Sequence, residues 1–377
     1  MFFYLFLDHG FTGYINRKDG RKVIFQKINV GIMGTGSIAC TMAQTLGKMK
    51  NVRCYAAASR TKEKAEAFAV GYGFKKAYGS YEELVADKKV DLVYIATPHS
   101  EHYKNAMLCL ENRKPVLCEK AFTVNEKQAK DLFDYAKENN VFITEAIWTR
   151  YMPMLQSIKD VLNSNVIGEP VMLTANLGYP IKKVPRIYTP ELAGGALLDL
   201  GVYPLNFAAM FFGTQIEKIQ SVCTYTDTGV DGQESITLIY KDGKTAVLNA
   251  TMLAATDRQG VIYGTEGYMI VENINNFESF TTYNKDHVKL NTYKRPKQIS
   301  GYEYEVEACI KALKEGWIQC PEMPHEESLK ILHIMDELRK EWKIIYPFER
   351  EESIQKSENT EITEKTKVTE IKSAECE

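Results

Sequence analysis

What this 377-residue chain lacks narrows it before any motif is read. Its eight cysteines, at 40, 54, 109, 118, 223, 309, 320 and 376, form no Cys-x-x-Cys pair. Most sit in apolar, strand-like or helical stretches, which argues against a disulfide framework and for a reducing, cytoplasmic setting. The six histidines do not cluster with cysteine, so no metal site is expected. Neither sign of charge dominates, with 47 Lys and Arg against 49 Asp and Glu. That balance leaves no electrostatic case for nucleic acid or an anionic membrane. No stretch approaches the roughly 20 apolar residues of a membrane-spanning helix. The opening MFFYLFLDHG lacks a preceding basic residue and a small-residue cleavage site, so residues 1–27 are read as an extension outside the fold rather than a signal peptide.

What remains is an ordinary soluble composition, 45% hydrophobic and 25% charged, long enough for two domains. From residue 28 to 148 short apolar runs alternate with helical periods. Strands are expected at 28–33, 52–58, 91–96, 115–119 and 141–145. Helical spacing links Ile38, Met42, Leu46 and Met49, then Ala65, Phe68, Ala69 and Tyr72, then Ala129, Leu132, Phe133 and Ala136. Thr123 and Glu126 have the spacing of a capping box for the last of these helices. Repeated β-α-β predicts a doubly wound parallel sheet of the Rossmann type.

After Tyr151 the rhythm changes. A helix is expected from Pro153 to Asn163, and then strands follow one another with turns between them, including the hairpin signal Lys241-Asp242-Gly243-Lys244. One helix interrupts them at GGALLDLGVYPLNFAAMFFG, and another is expected over 326–342, packed back on one of the domains. Residues 149–346 are therefore read as an α+β domain with a largely antiparallel open sheet and a C-terminal helix. The charged residues 347–377 lack the apolar side chains for a core and are read as a disordered tail.

At INVGIMGTGSIA (28–39) a strand ends in glycines and a helix begins. Gly34 suits the tight turn, Gly36 lets the backbone approach a pyrophosphate, and Thr35, Ser37 and Ile38 belong to the same cradle. The helix N-terminus adds free N–H groups and positive potential. The tip of the second strand reads Ser59-Arg60, with Lys64 close behind and no carboxylate. A guanidinium and a hydroxyl suit a 2′-phosphate, so NADP is expected rather than NAD.

Three further stretches, IATPHSEHYKNA (95–106), KPVLCEKAFTVN (114–125) and GGALLDLGVYPLN (194–206), taken with the glycine loop, resemble the Gfo/Idh/MocA oxidoreductase family. Within it, EAIWTRYMP (145–153) and Tyr203 resemble the group of dihydrodiol and NADP-dependent D-xylose dehydrogenases. The resemblance implies a sugar or cyclic trans-diol as substrate and a homodimer formed through the second sheet. It implies Lys120, Tyr203 and Asp199 as catalytic residues. Thr97, Pro98, His99, His102 and Glu119 would line the nicotinamide pocket beside Lys120, and Trp148 and Arg150 would lie against the substrate, with Asp199 and Tyr203. Residue 121 is Ala where the family motif has Pro, which leaves the geometry of that peptide open. Pocket shape would depend on second-domain loops such as 178–190.

The chemistry expected of these groups is hydride transfer with Tyr203 as acid/base, its pKa lowered by the Lys120 ammonium. Asp199 would bind a neighbouring hydroxyl or orient Lys120. Trp148 would form an apolar wall. Read without the resemblance, Tyr203 and Trp148 are core aromatics, His99 and His102 are helix caps and Arg150 is an interdomain salt bridge. An NAD-dependent glycoside hydrolase of the same fold and a non-catalytic nucleotide sensor are the competing functions.

Overall fold

The structure is a computed structural model that describes residues 27–350, together with the backbone of two short strands, Tyr14–Asn16 and Val23–Phe25, which pair antiparallel. Most of the expected N-terminal extension, and the tail beyond residue 350, lie outside the described residues.

The first sheet holds β1 (Ile28–Met33), β2 (Val52–Ala58), β3 (Lys76–Tyr78), β4 (Leu92–Ile95), β5 (Val116–Glu119) and β6 (Ile143–Ala146). Their order is β3-β2-β1-β4-β5-β6 and every pairing is parallel, the doubly wound architecture expected from the sequence. All four residues of β4, of β5 and of β6 are buried; β4 reads as an unbroken apolar run, whereas β5 and β6 also bury Glu119 and Glu145. Helices α1 (Ser37–Lys48), α2 (Lys62–Tyr72), α3 (Tyr81–Ala86), α4 (His99–Glu111) and α5 (Glu126–Asn139) cover the faces. α1 turns Ala39, Met42, Ala43 and Leu46 inward. The expected Thr123 capping box is corrected here. Asn125 caps α5, its side chain accepting from the Gln128 amide at 3.0 Å, while the Thr123 hydroxyl donates to the Asn125 carbonyl.

α6 (Pro153–Asn163) opens the second domain over the residues expected. The second sheet comprises β7 (Pro170–Gly178), β8 (Ile216–Tyr225), β9 (Asp231–Tyr240), β10 (Thr245–Thr251), β11 (Gly260–Gly264), β12 (Gly267–Glu272), β13 (Ser279–Asn284) and β14 (Lys289–Lys294), in the order β8-β9-β10-β7-β11-β12-β13-β14. Only the β10–β7 pairing is parallel. Alternate residues such as Leu173, Ala175 and Leu177 face inward, against α7 (Val202–Phe212), which is buried along nearly its whole length. The run Pro190–Phe212 meets the length and composition of a membrane span, contrary to the sequence expectation, but 89% of its apolar window is buried inside the fold. It is the core helix of this domain.

Two further helices follow, α8 (Glu303–Glu315) and α9 (His325–Glu341). α9 packs on both domains rather than one. Its Asp336 carboxylate accepts from the Glu126 amide on α5 at 2.8 Å, and Glu341 accepts from Ser221 on β8 at 2.7 Å. The expected start of the tail at 347 is also corrected. Residues 347–350 form a helical turn in which Glu349 pairs with Arg339 at 2.8 Å and accepts from Asn125 at 3.0 Å.

Candidate active site

The C-terminal ends of β1, β2, β4 and β5 lie along one edge of the first sheet, where doubly wound folds bind ligands. Gly34 has φ +97°, and a Cβ there would lie 2.7 Å from the Ala96 carbonyl oxygen, so only glycine lets β1 turn this close to the chain after β4. Gly36 begins α1 with no side-chain cap, no acid follows in the first turn, and a Cβ on Gly36 would meet nothing within 4 Å. An exposed, uncapped helix start with open space above it fits an anion. Thr35 and Ile38 are half-buried beside it and Ser37 is exposed. At the tip of β2, Ser59 is buried, its amide bonded to the Tyr78 carbonyl, while Arg60 and Lys64 are exposed.

The loops after β4 and β5 form the floor next to this cradle. His102 ties them together, with Nδ1 at 2.9 Å from the Ala121 carbonyl oxygen and Nε2 at 2.9 Å from that of Thr97. Asn105 donates to the Thr97 hydroxyl at 3.1 Å. His99 donates from Nδ1 to the Ala193 carbonyl at 3.1 Å, which joins this floor to the second domain. Burial, reinforced by His102, pushes His99 down to about 3, so the ring is neutral and its other nitrogen is an acceptor. Pro98 is the cap residue of α4. The histidines are thus buried ties between loops, not exposed caps.

Lys120 follows β5, and the Lys120–Ala121 peptide is cis. Its ammonium donates to the Asp199 backbone carbonyl at 2.5 Å, lies 3.4 Å from the Asp199 carboxylate, and sits 4.9 Å from the centre of the Tyr203 ring. Asp199 belongs to a π-helical turn, Leu197–Gly201, that runs straight into α7 and Tyr203. Such turns recur at functional sites because one extra residue re-aims the side chains. Arg186, from the 178–190 loop, also binds Asp199, at 2.7 Å. Burial works against ionisation of Asp199, but the Lys120 and Arg186 charges outweigh it and hold the carboxyl well below its ordinary range. The Tyr203 hydroxyl accepts from the Trp148 indole N–H at 3.1 Å.

Two expectations fare differently. Lys120, Asp199, Tyr203 and Trp148 are brought together, but Arg150 is not. Its guanidinium is buried and held by Asn206 at 2.6 Å and by Glu327 at 3.2 Å, a lock between α7 and α9. The expected lowering of the Tyr203 pKa is also not what the geometry supports. Burial pushes the phenol well above its ordinary value, with Tyr302, Glu119 and Asp199 adding to it and the Trp148 hydrogen bond acting against it. Glu119 is likewise buried. It accepts from the Tyr94 hydroxyl and from the Lys120 amide, and burial raises its carboxyl to about 7.

Arg186, Tyr94 and Tyr302 were missed by sequence reasoning. Arg186 lies in a loop already singled out for pocket shape, so its basic side chain was a usable signal. Tyr94 sits mid-strand in an apolar run, and Tyr302 follows a Ser-Gly turn; nothing local distinguishes them.

Residues 28–146 match the Gfo/Idh/MocA oxidoreductase family with its NAD-binding Rossmann fold, and residues 155–270 match the C-terminal domain of the same family. A trans-1,2-dihydrobenzene-1,2-diol dehydrogenase of Xenopus laevis is 35% identical over 325 residues, covering 84% of this chain and 98% of its own. An NADP+-dependent D-xylose 1-dehydrogenase of Hypocrea jecorina is 34% identical, covering 84% of this chain and 92% of its own. Among solved structures, KijD10, a 3-ketoreductase from Actinomadura kijaniata in complex with NADP and TDP-benzene, superposes with a TM-score of 0.77 at 27% identity, over 82% of this chain and 96% of its own. Variants of that enzyme with a lysine or a tyrosine substituted are among the matching structures. With the parallel first sheet, the mixed second sheet and the glycine cradle already in place, the conclusion is direct: this chain belongs to the Gfo/Idh/MocA family of oxidoreductases.

Proposed function

We propose that the chain is an NADP-dependent oxidoreductase that moves hydride between the nicotinamide and a secondary alcohol or hemiacetal carbon of a sugar or cyclic trans-diol. The observation that carries this reading is the convergence of Lys120, Asp199, Tyr203 and Trp148 at the mouth of the dinucleotide cradle. When bound, the nicotinamide supplies or accepts the hydride. Gly34–Ile38 would hold the pyrophosphate, Ser59, Arg60 and Lys64 the 2′-phosphate, and Thr97, Pro98, His99, His102 and Glu119 the nicotinamide end. The relatives named for NADP-dependent xylose oxidation and the ketoreductase bound to NADP support the cofactor choice.

Tyr203 is the acid/base group. Its raised pKa makes the phenol the resting form, ready to donate a proton to a carbonyl oxygen as hydride reaches the carbon. Lys120 hydrogen-bonds that oxygen and stabilises charge on it. Asp199 holds Lys120 in place and binds a neighbouring hydroxyl. In the oxidative direction the phenol must first lose its proton, so alcohol oxidation should rise with pH through the alkaline range while carbonyl reduction stays flat. The seven free thiols among the described residues support a cytoplasmic setting. A homodimer packed through the second sheet completes the proposal.

The test is a screen of NADP+ reduction and NADPH oxidation over pentoses, hexoses, inositols, trans-diols and their ketones, with NAD run in parallel. Turnover with Tyr203→Phe reduced at least about a hundredfold, and NADPH binding retained, is the expected result. Full turnover by that variant would sink the acid/base assignment. Release of reducing sugar without net NADPH formation would favour the hydrolase.

A further inference from the structure

The turn joining β14 to α8 carries Tyr302 but none of the residues given a catalytic or cofactor role, yet it is tied to the site by a continuous set of contacts. Glu303, the first residue of α8, is only 5% exposed and folds back over the turn. Its Oε1 accepts from the Ile299 amide, and its Oε2 accepts from the amides of Ser300 at 3.0 Å and Gly301 at 2.7 Å. Three consecutive N–H groups closing on one carboxylate form an anion nest, filled here by the chain's own side chain.

Ser300 and Gly301 of the nest, and Tyr302 which follows it, each reach toward the site. The Ser300 hydroxyl bonds Thr45 at 2.8 Å, on the helix whose N-terminus forms the cradle. Gly301 has φ +109°, and a Cβ there would come within 3.0 Å of Trp148 Cζ3 and 2.9 Å of Met152 Cε. Tyr302 lays its ring on the Trp148 indole, with centroids 4.0 Å apart and planes at 10°. The same indole donates to the Tyr203 hydroxyl. Glu303 is therefore linked to the proposed acid/base group through one ring stack, Tyr302 on Trp148, and one hydrogen bond, Trp148 to Tyr203.

We propose that Glu303 is a positioning residue: its carboxylate holds the 299–302 turn so that Tyr302 clamps Trp148, and Trp148 in turn aims the Tyr203 hydroxyl. The inference rests on Tyr203 being the acid/base group. A glutamine in place of Glu303 keeps the shape but offers one oxygen and one NH2 to three donors, so the nest opens and the clamp loosens.

The experiment uses full-length protein labelled with 5-fluorotryptophan. The chain has three tryptophans, and the Trp148 resonance is assigned with Trp148→Phe. In Glu303→Gln the Trp148 19F resonance should shift or broaden. NADPH affinity should stay within about twofold, and kcat on whichever sugar or diol the wild type turns over should fall about tenfold or more, as small misplacements of catalytic groups do. Gly301→Ala, which presses on Trp148 from the same turn, should move the same resonance and guards against a misfolded Gln variant. Glu307→Gln, exposed one turn further along α8, should change nothing. An unmoved Trp148 resonance in folded Glu303→Gln, whatever Gly301→Ala does, or a moved one with wild-type kcat and KM, would overturn the proposal. If the wild type turns over no sugar or diol, the functional reading fails, while the Trp148 signal still decides whether Glu303 positions the indole.

Discussion

Glu119 and Arg60 each make a claim about a single side chain. Glu119 is raised by burial from 4.5 to about 7, so the folded state keeps a proton that the unfolded chain has already lost. Its contribution to stability is complete below about 4.5 and is lost as the pH rises through about 7. His99 acts in the opposite sense, since its folded value near 3 costs stability as the pH falls below the ordinary histidine range. The difference between wild type and Glu119→Gln isolates the first effect. Urea melts at pH 5 and pH 8 should show wild type losing on the order of 1–3 kcal/mol relative to the variant at the higher pH, and parallel behaviour would refute the assignment. Arg60 is exposed at the tip of β2, and the proposed function gives its guanidinium the 2′-phosphate. Arg60→Ala should weaken NADPH about tenfold and leave NADH nearly unchanged, measured by nucleotide fluorescence titration.

Among the elements, the β1–α1 junction and the C-terminal strap carry the sharpest demands. Gly34→Ala places a methyl 2.7 Å from the Ala96 carbonyl in a left-handed conformation. A loss of about 1–3 kcal/mol in stability is expected, together with weakened dinucleotide binding. The segment after α9 reaches across to Gly194, whose carbonyl accepts from the buried Tyr346 hydroxyl at 3.0 Å, while Arg339 lies 4.7 Å over the tyrosine ring. Gly194 leads directly into the turn that carries Asp199. Tyr346→Phe leaves that carbonyl buried without its donor and should cost about 1 kcal/mol in a denaturant melt.

For the whole molecule, the second sheet packs its apolar face on α7 and leaves a mixed face, part apolar and part polar, on its other side. Val247, Val261 and Ile270 lie on the other, half-buried, face, and Val261 pairs directly with Ile270 across β11 and β12. A face of this kind is suited to a second copy of the chain. Sedimentation should give twice the 42.9 kDa chain mass. Val261→Lys with Ile270→Lys, which sets two like charges opposite each other on that face, should give a folded monomer. A wild-type monomer at micromolar concentration would remove the dimer from the proposed function.

Some of this was determined by the sequence alone. Parallel strands buried on both faces leave long apolar runs, and α6 and α9 carry helical spacing strong enough to read at once. The glycine cradle and the Ser59-Arg60 tip are local, because a turn and a strand end depend on neighbouring residues. Elements whose signal is weak or comes from elsewhere were not legible. β3 is three residues long at an edge, β14 is exposed throughout and so lacks alternation, and α8 is defined by packing under Trp148. The state of the site was decided only by tertiary structure. Lys120 was expected to lower the Tyr203 pKa by proximity, yet the fold buries the phenol and brings Arg186, 66 residues from Lys120, onto the Asp199 already expected there. Coulomb interactions and burial depend on distance in space, and no spacing in the chain records which charge the fold will bring closest.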